Sequence, residues 1–385
     1  MKTKTVTLMV LFSLFGGIMI SQTAQRSCGT MQHLSYLKTQ DAGLEDRMNT
    51  IEGQTALWEQ NNASMKTAAT IVNIPVVVHV LYNTTSQNIT DAQIKSQIDV
   101  LNEDFRKLNA DRTKVPSAFV GLAADVEVTF CLASKSPAGT TTTGIIRKST
   151  TKTSFASDDA MKYSSLGGSD AWNTSQYLNL WVCNLGGGLL GYAQFPGGPA
   201  ATDGVVVLYS AFGRTGTLSA PYNKGRTATH EVGHWLNLRH IWGDASCGSD
   251  LVTDTPTQQT SNSGCPAFPH TTCSNGVNGD MFMNYMDYTD DACMYMFSTG
   301  QKTRMRALFA VGGARVGLTT STGCGAVTTT TTSSTSNTVT VGSGTGSTTT
   351  PYGTYYMDQK VHLAFQHLML PEYQLQNHHQ SSLNL

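Results

Sequence analysis

The chain has 385 residues, enough for one large or two ordinary domains around a sizeable core. A net charge of −1 and only 13% charged residues argue against a nucleic-acid footprint and against a polyelectrolyte tail. Eight cysteines suit an oxidising, exported setting.

Residues 1–24 have the make-up of a secretory signal peptide. Lys2 and Lys4 supply the positive start, Leu8 to Ile20 an apolar run too short to span a bilayer comfortably, and Ser21, Thr23 and Ala24 small residues for cleavage. Gln25, Arg26 and Ser27 do not suit a lipoprotein anchor at Cys28, and no later segment reaches transmembrane length. The expectation is an extracellular protein with no stable membrane anchor.

Residues 25–69 read as a polar, partly helical pro-segment, with Leu44, Met48 and Ile51 on one helical face. Near its start stands Arg26-Ser27-Cys28-Gly29-Thr30. A thiolate at Cys28 can fill the open position of a catalytic metal and silence a precursor; a cysteine that pairs elsewhere is the other reading.

A domain over 70–324 follows. Ile74 to Tyr82 is β-branched and nearly continuous in apolar character, a strand buried on both faces, and His79 within it reads as a core histidine. Thr90 and Asp91 cap a helix whose Ile94, Ile98, Leu101 and Phe105 recur at three and four residues. Strands are expected at 126–132, 177–183 and 204–209; Cys131 and Cys183 within them are open to pairing or to simple burial. The glycine-rich run 186–196 leads to a short strand that is either an ordinary hairpin or an edge able to pair with an extended peptide. Strands alternating with helices indicate an α/β fold.

His230-Glu231-Val232-Gly233-His234 sets two imidazoles one helical turn apart on a single face, a spacing at which both can hold one metal ion beside a carboxylate. His240 lies six residues beyond His234, so the chain must turn sharply to bring in a third ligand. Asn237 stands where a left-handed residue is needed, and asparagine is the next-best choice after glycine. Three histidines with one open position and an adjacent glutamate suit a hydrolytic Zn2+ centre, with proteins or peptides as the substrates.

Asp244, Asp250 and Asp254 follow in a loop whose density of hard oxygen ligands suits Ca2+ as well as it suits plain solvation. Cys247, Cys265, Cys273 and Cys293 fall in a region too polar to hold itself by core packing, and two disulfides among them would compensate. Three pairings are open. Met283 to Tyr288 is a tight aromatic turn; Asp290 and Asp291 after it suit a basic substrate side chain, or equally a calcium site or plain surface. Residues 298–309 suit a closing helix. From 325 to 350 Thr, Ser and Gly read as a linker, and 351–385 form a tail without a period.

The zinc motif, Ile241-Trp242-Gly243-Asp244, Asn284-Tyr285-Met286-Asp287-Tyr288 and the four downstream cysteines together resemble the pappalysin family of metzincin metallopeptidases over residues 70–315. The resemblance implies a metzincin-type α/β catalytic domain with a twisted mixed sheet, an active-site helix and a loop-rich, disulfide-stapled C-terminal subdomain. It implies a Met-turn at Met286, Tyr288 steadying the reacting carbonyl, a cysteine switch at Cys28, and crossed pairs Cys247–Cys273 and Cys265–Cys293. Asn237 in place of glycine is the one departure. The competing reading is a zinc-bearing adhesion or binding module without catalysis, against which Glu231 speaks, since structural zinc needs no base. Oligomeric state is not legible.

Overall fold

The computed structural model describes residues 25–62 and 70–325. The expected signal peptide, the junction at 63–69, nearly all of the linker and the tail lie outside the described residues.

The N-terminal segment forms two helices, Thr30–Gln40 (α1) and Leu44–Asn62 (α2). Between them the Asp41 amide closes on the Leu37 carbonyl at 2.9 Å, and the Asp41 carboxylate takes the Gly43 amide at 3.1 Å. His33 and Leu37 are buried one turn apart on α1, whereas α2 buries only Leu44 and Thr55. Neither helix has an apolar face of its own to fold upon, so each depends on the surface beneath it.

That surface is built on a mixed sheet. Its strands are Val72–Tyr82 (β1), Val128–Leu132 (β2), Ile145–Ser149 (β3), Leu178–Cys183 (β4), Gly191–Ala193 (β5) and Val205–Leu208 (β6). The order is β2-β1-β4-β6-β5, with β3 continuing the β2 edge along the second half of β1. All pairings are parallel except β5 on β6, which leaves the antiparallel strand at the edge. Alternate residues of β1 and β4 point to opposite sides. Val76, Val78, Val80, Leu180 and Val182 join the main core; Leu81, Trp181 and Cys183 join a second cluster behind. Both faces are therefore covered, which explains the unbroken apolar run. His79 is satisfied within it by Ser169 and Asn179 at 2.9 and 3.0 Å and stacks on Trp181.

Two helices roof the main core. Asp91–Phe105 (α3) is capped by the Thr90 hydroxyl and buries Ile94, Ile98, Leu101 and Phe105. Arg226–Trp235 (α4) is buried along its whole length. A long loop region then leads to Thr299–Ala307 (α5), opened by a capping box of Ser298 and Gln301. Disulfides Cys247–Cys273 and Cys265–Cys293 hold that loop region, and Cys131–Cys324 ties β2 to the end of the described chain. Cys183 is buried and unpaired. The buried carboxylate of Asp287 organises the loops by accepting from Gln258 and Asn262 side chains at 2.9 Å each.

Candidate active site

Helix α4 ends at Trp235, and Asn237 takes φ = 70°, the left-handed turn that the motif requires. The reversal returns His240 to the face that carries His230 and His234. Each ring offers its Nδ1 to an oxygen: His230 to the Tyr285 carbonyl at 2.7 Å, His234 to the Leu238 carbonyl at 2.7 Å, His240 to Asp244 Oδ1 at 2.5 Å. Carbonyls cannot donate, so the proton of the first two rings is on Nδ1 and their Nε2 atoms carry bare lone pairs. Yet Nε2 of His234 lies 3.1 Å from Nε2 of both His230 and His240. Nitrogens converging in this way form a group that could hold a cation. A tetrahedral ion with bonds of about 2.0–2.1 Å to nitrogen accounts for the spacing. Burial, and then the neighbouring imidazoles, push His230 and His234 well below the ordinary histidine range, which keeps them neutral as ligands must be. Trp242 stacks on His240 at 4.4 Å and fixes the ring that follows the turn.

The N-terminal segment crosses this cluster. Ser27 O receives the Leu190 amide at 2.9 Å, and the Gly29 amide donates to Gly191 O at 2.8 Å. Residues 27–29 thus run parallel to the edge strand β5. Cys28 Sγ and the three imidazoles lie within 4.8 Å of one another, a group that could hold an ion. Beside them Glu231 Oε2 accepts from Thr30 Oγ1 at 3.0 Å and meets Cys28 Sγ at 3.4 Å. Burial pushes the Glu231 carboxyl up to about 8, against the pull of Thr30, Cys28 and Arg26. Gly191 must be glycine here: a Cβ would come within 2.8 Å of Val206 O and 3.0 Å of Glu231 Cγ.

Arg26, two residues before the thiol, is 3% exposed. Its Nη2 reaches Asp291 Oδ1 at 2.6 Å, Nη1 donates to Thr227 Oγ1 at 3.0 Å, and the guanidinium lies 4.9 Å from the centre of the Tyr222 ring. The amides of Lys224 and Arg226 brace Asp291 from behind. Of the two acidic residues after the aromatic turn, Asp291 therefore lines a basic-side-chain pocket at the N-terminal end of α4.

Met286 lies under the turn of α4 that separates His230 from His234; a Cβ on Gly233 would stand 2.5 Å from its sulfur. The Tyr288 ring packs 5.7 Å from His230 and 5.0 Å from His240, and its hydroxyl meets the Cys28 backbone. Residues that the sequence reading missed complete the frame. Asp104 of α3 accepts from Thr229 at 2.7 Å and from the Tyr285 hydroxyl at 2.9 Å, and pairs with Arg226 at 2.9 Å. It thereby ties α4 to the residue whose carbonyl orients His230. A carboxylate one turn from Leu101 on an otherwise apolar stripe was the signal. Thr30 gave none.

The aspartates considered for calcium are not brought together. Asp244 holds His240; Asp250 accepts from Thr255 and the Val252 amide, with burial pushing its carboxyl up to about 7; Asp254 caps α5 through Ser298 Oγ and the Gly300 amide. Each carboxylate is used by its own neighbourhood. Among the described residues the cluster fit for an ion is the one with Cys28.

Residues 162–310 match the family described as pregnancy-associated plasma protein-A. An extracellular metalloprotease of Pyricularia oryzae is 33% identical over 258 residues, spanning 65% of this chain and 79% of that protein. Extracellular metalloprotease 1 of Coccidioides posadasii is 32% identical over 322 residues, 79% of this chain and 97% of its own length. Among solved structures, mature mirolysin of Tannerella forsythia in complex with a cleaved peptide is 56% identical, with a TM-score of 0.65 over 66% of this chain and 97% of that one. A promirolysin mutant from the same organism is 51% identical, with a TM-score of 0.70 over 76% of this chain and 97% of that one.

Proposed function

The chain belongs to the pregnancy-associated plasma protein-A family of metalloendopeptidases, the pappalysins, and on that footing we propose a secreted zinc endopeptidase, held latent by a pro-segment over residues 25–69, in which Glu231 is the general base. The observation that carries this reading is the convergence of the Nε2 atoms of three buried imidazoles beside the buried carboxylate of Glu231. His230, His234 and His240 would hold zinc, which would supply Lewis-acid activation of water and of the scissile carbonyl. Glu231 takes the proton of the attacking water and hands it to the departing amine, a transfer worth about 10²–10⁴-fold. Tyr288, packed against two of the imidazoles, is placed to steady the carbonyl oxygen as charge develops on it. Met286 keeps the floor beneath the helix apolar.

The substrate backbone lies along β5, whose edge hydrogen bonds the pro-segment takes in the latent form. The pocket filled by Arg26 then receives a basic substrate side chain, held by Asp291. Cys28 reaches the cluster from the same segment and serves as the blocking ligand. Export follows from the reading of residues 1–24 and accords with relatives named extracellular; no helix among the described residues is long and apolar enough to cross a membrane.

The test is hydrolysis of casein by purified protein freed of its pro-segment. Cleavage is expected to stop with a chelator, to return with Zn2+, and to fall at least about a hundredfold in Glu231→Gln with bound zinc retained. A zinc-loaded protein that cleaves nothing would favour the binding-module reading.

A further inference from the structure

Helix α2 presents Glu52 to Arg304, at the end of α4 opposite to the Arg26 pocket. Both terminal nitrogens of Arg304 reach the Glu52 carboxylate, Nη1 to Oε1 at 2.6 Å and Nη2 to Oε2. The guanidinium is not free to follow Glu52 elsewhere, because its Nε donates to the Asn237 carbonyl at 2.8 Å, within the turn that delivers His240. Arg304 is only 1% exposed, although it sits on α5. Burial alone would raise the Glu52 carboxyl; Arg304 and then Arg239 outweigh it and hold it below the usual carboxylate range.

Between the pro-segment and the catalytic unit lies a cavity of about 190 Å3, with Met48 and Glu52 on one wall and Phe195, Asn237 and Arg239 on the other. The Phe195 ring meets that of His234 at 5.5 Å. The cavity under α2 thus lies between Phe195, whose ring touches one imidazole of the cluster, and Arg239, with Glu52 of its wall held by Arg304. Once α2 leaves, Arg304 keeps its backbone anchor and loses its counter-charge, while Arg239 stands beside it. A fixed, partly desolvated guanidinium fork is a carboxylate receptor.

We propose that Arg304 and Arg239 form a substrate subsite of the activated enzyme that takes an acidic side chain, which Glu52 occupies in the latent form. The proposal rests on the endopeptidase reading above and adds a second charged determinant to it. Substrates would carry a basic residue at the Asp291 end of the cleft and an acidic one at the Arg304 end.

The experiment uses the enzyme after pro-segment removal and a set of fluorogenic peptides with one arginine near the scissile bond. Glu, Gln or Lys is placed in turn at each position on the far side of that bond. At one position Glu should exceed Gln about tenfold in kcat/KM, the size supported by a charge-assisted pair at a half-buried site, with Lys slowest. Arg239→Glu, at a half-buried residue outside the metal cluster, should invert that order so that Lys is fastest. Chelator-sensitive cleavage with equal Glu and Gln rates at every position overturns the subsite while leaving the peptidase standing. No chelator-sensitive cleavage of any peptide overturns both.

Discussion

Replacing Arg26 tests whether the N-terminal segment silences the cleft. In the docked state Asp291 is fully buried and its cationic partner is Arg26, at 2.6 Å. Arg26→Ala leaves that carboxylate with two backbone amides and no cation, and it forfeits the contacts to Thr227 and Tyr222. In the undocked state water reaches Asp291, so the loss falls almost wholly on the docked form. Truncating one member of such a pair costs about 2–5 kcal/mol. At about 1.4 kcal/mol per decade, the undocked fraction rises roughly 30-fold to several thousand-fold. The assay is the initial rate of intact, uncleaved precursor on a small fluorogenic peptide, together with the rate of self-processing on a gel. Arg26→Ala should raise the first by at least about 30-fold, and Arg26→Lys should recover part of the latency, keeping charge but not the planar fork. Combining the change with Asp291→Asn should give much less than the sum of the single effects. A folded Arg26→Ala precursor as silent as the parent, or strict additivity in the double variant, would refute the reasoning.

Three further outcomes follow from the same geometry. His33, buried against Asp159 at 2.8 Å with Lys162, Tyr192 and Tyr36 around it, is held below its ordinary range chiefly by burial; the released form binds the proton more readily, so docking should weaken as pH falls through about 6.5. Precursor self-activation should accelerate below that pH, and His33→Gln should flatten the profile. Asn237→Gly should keep kcat, because φ = 70° suits glycine, whereas Asn237→Ala should lose about 1 kcal/mol of stability by thermal denaturation. Gly233→Ala drives a methyl group into the Met286 sulfur and should cost about 1–3 kcal/mol, read as a lowered Tm with reduced zinc affinity.

Local chemistry made part of this molecule readable without a structure. The strands β1, β2, β4 and β6 and the helices α3 and α5 announce themselves through apolar period and caps, and the histidine spacing places two imidazoles on one face before any fold is known. Strand β3 escaped because Ile145-Ile146-Arg147-Lys148-Ser149 has no alternation; it exists because the second half of β1 offers it a partner. The polar frame escaped for a related reason. Arg26 and Asp291 are 265 residues apart, Thr30 and Glu231 are 201, and Glu52 and Arg304 are 252. Nothing in either member of such a pair names the other. The three aspartates after His240 are close in sequence, yet their carboxylates serve a histidine, a turn and a helix cap.

On the proposed reading, the contacts of the N-terminal segment also account for the length of the inhibitory lever. Arg26 sits at the N-terminal end of α4, Cys28 and Thr30 at its middle, and Glu52 just past its C-terminal end. Each anchor is modest against solvent, yet once one is seated the others bind at the high effective concentration of a tethered ligand. Helices α1 and α2 supply the tether, and their poor apolar faces leave them dependent on the surface beneath. A single cut beyond α2 need not free the cleft, since every anchor remains on one piece. Release then depends on weakening several contacts together, and these are charge pairs and hydrogen bonds rather than a large apolar seam. That composition makes the docked state sensitive to pH and to competing peptides, in a way that burial of the same area in apolar contact would not.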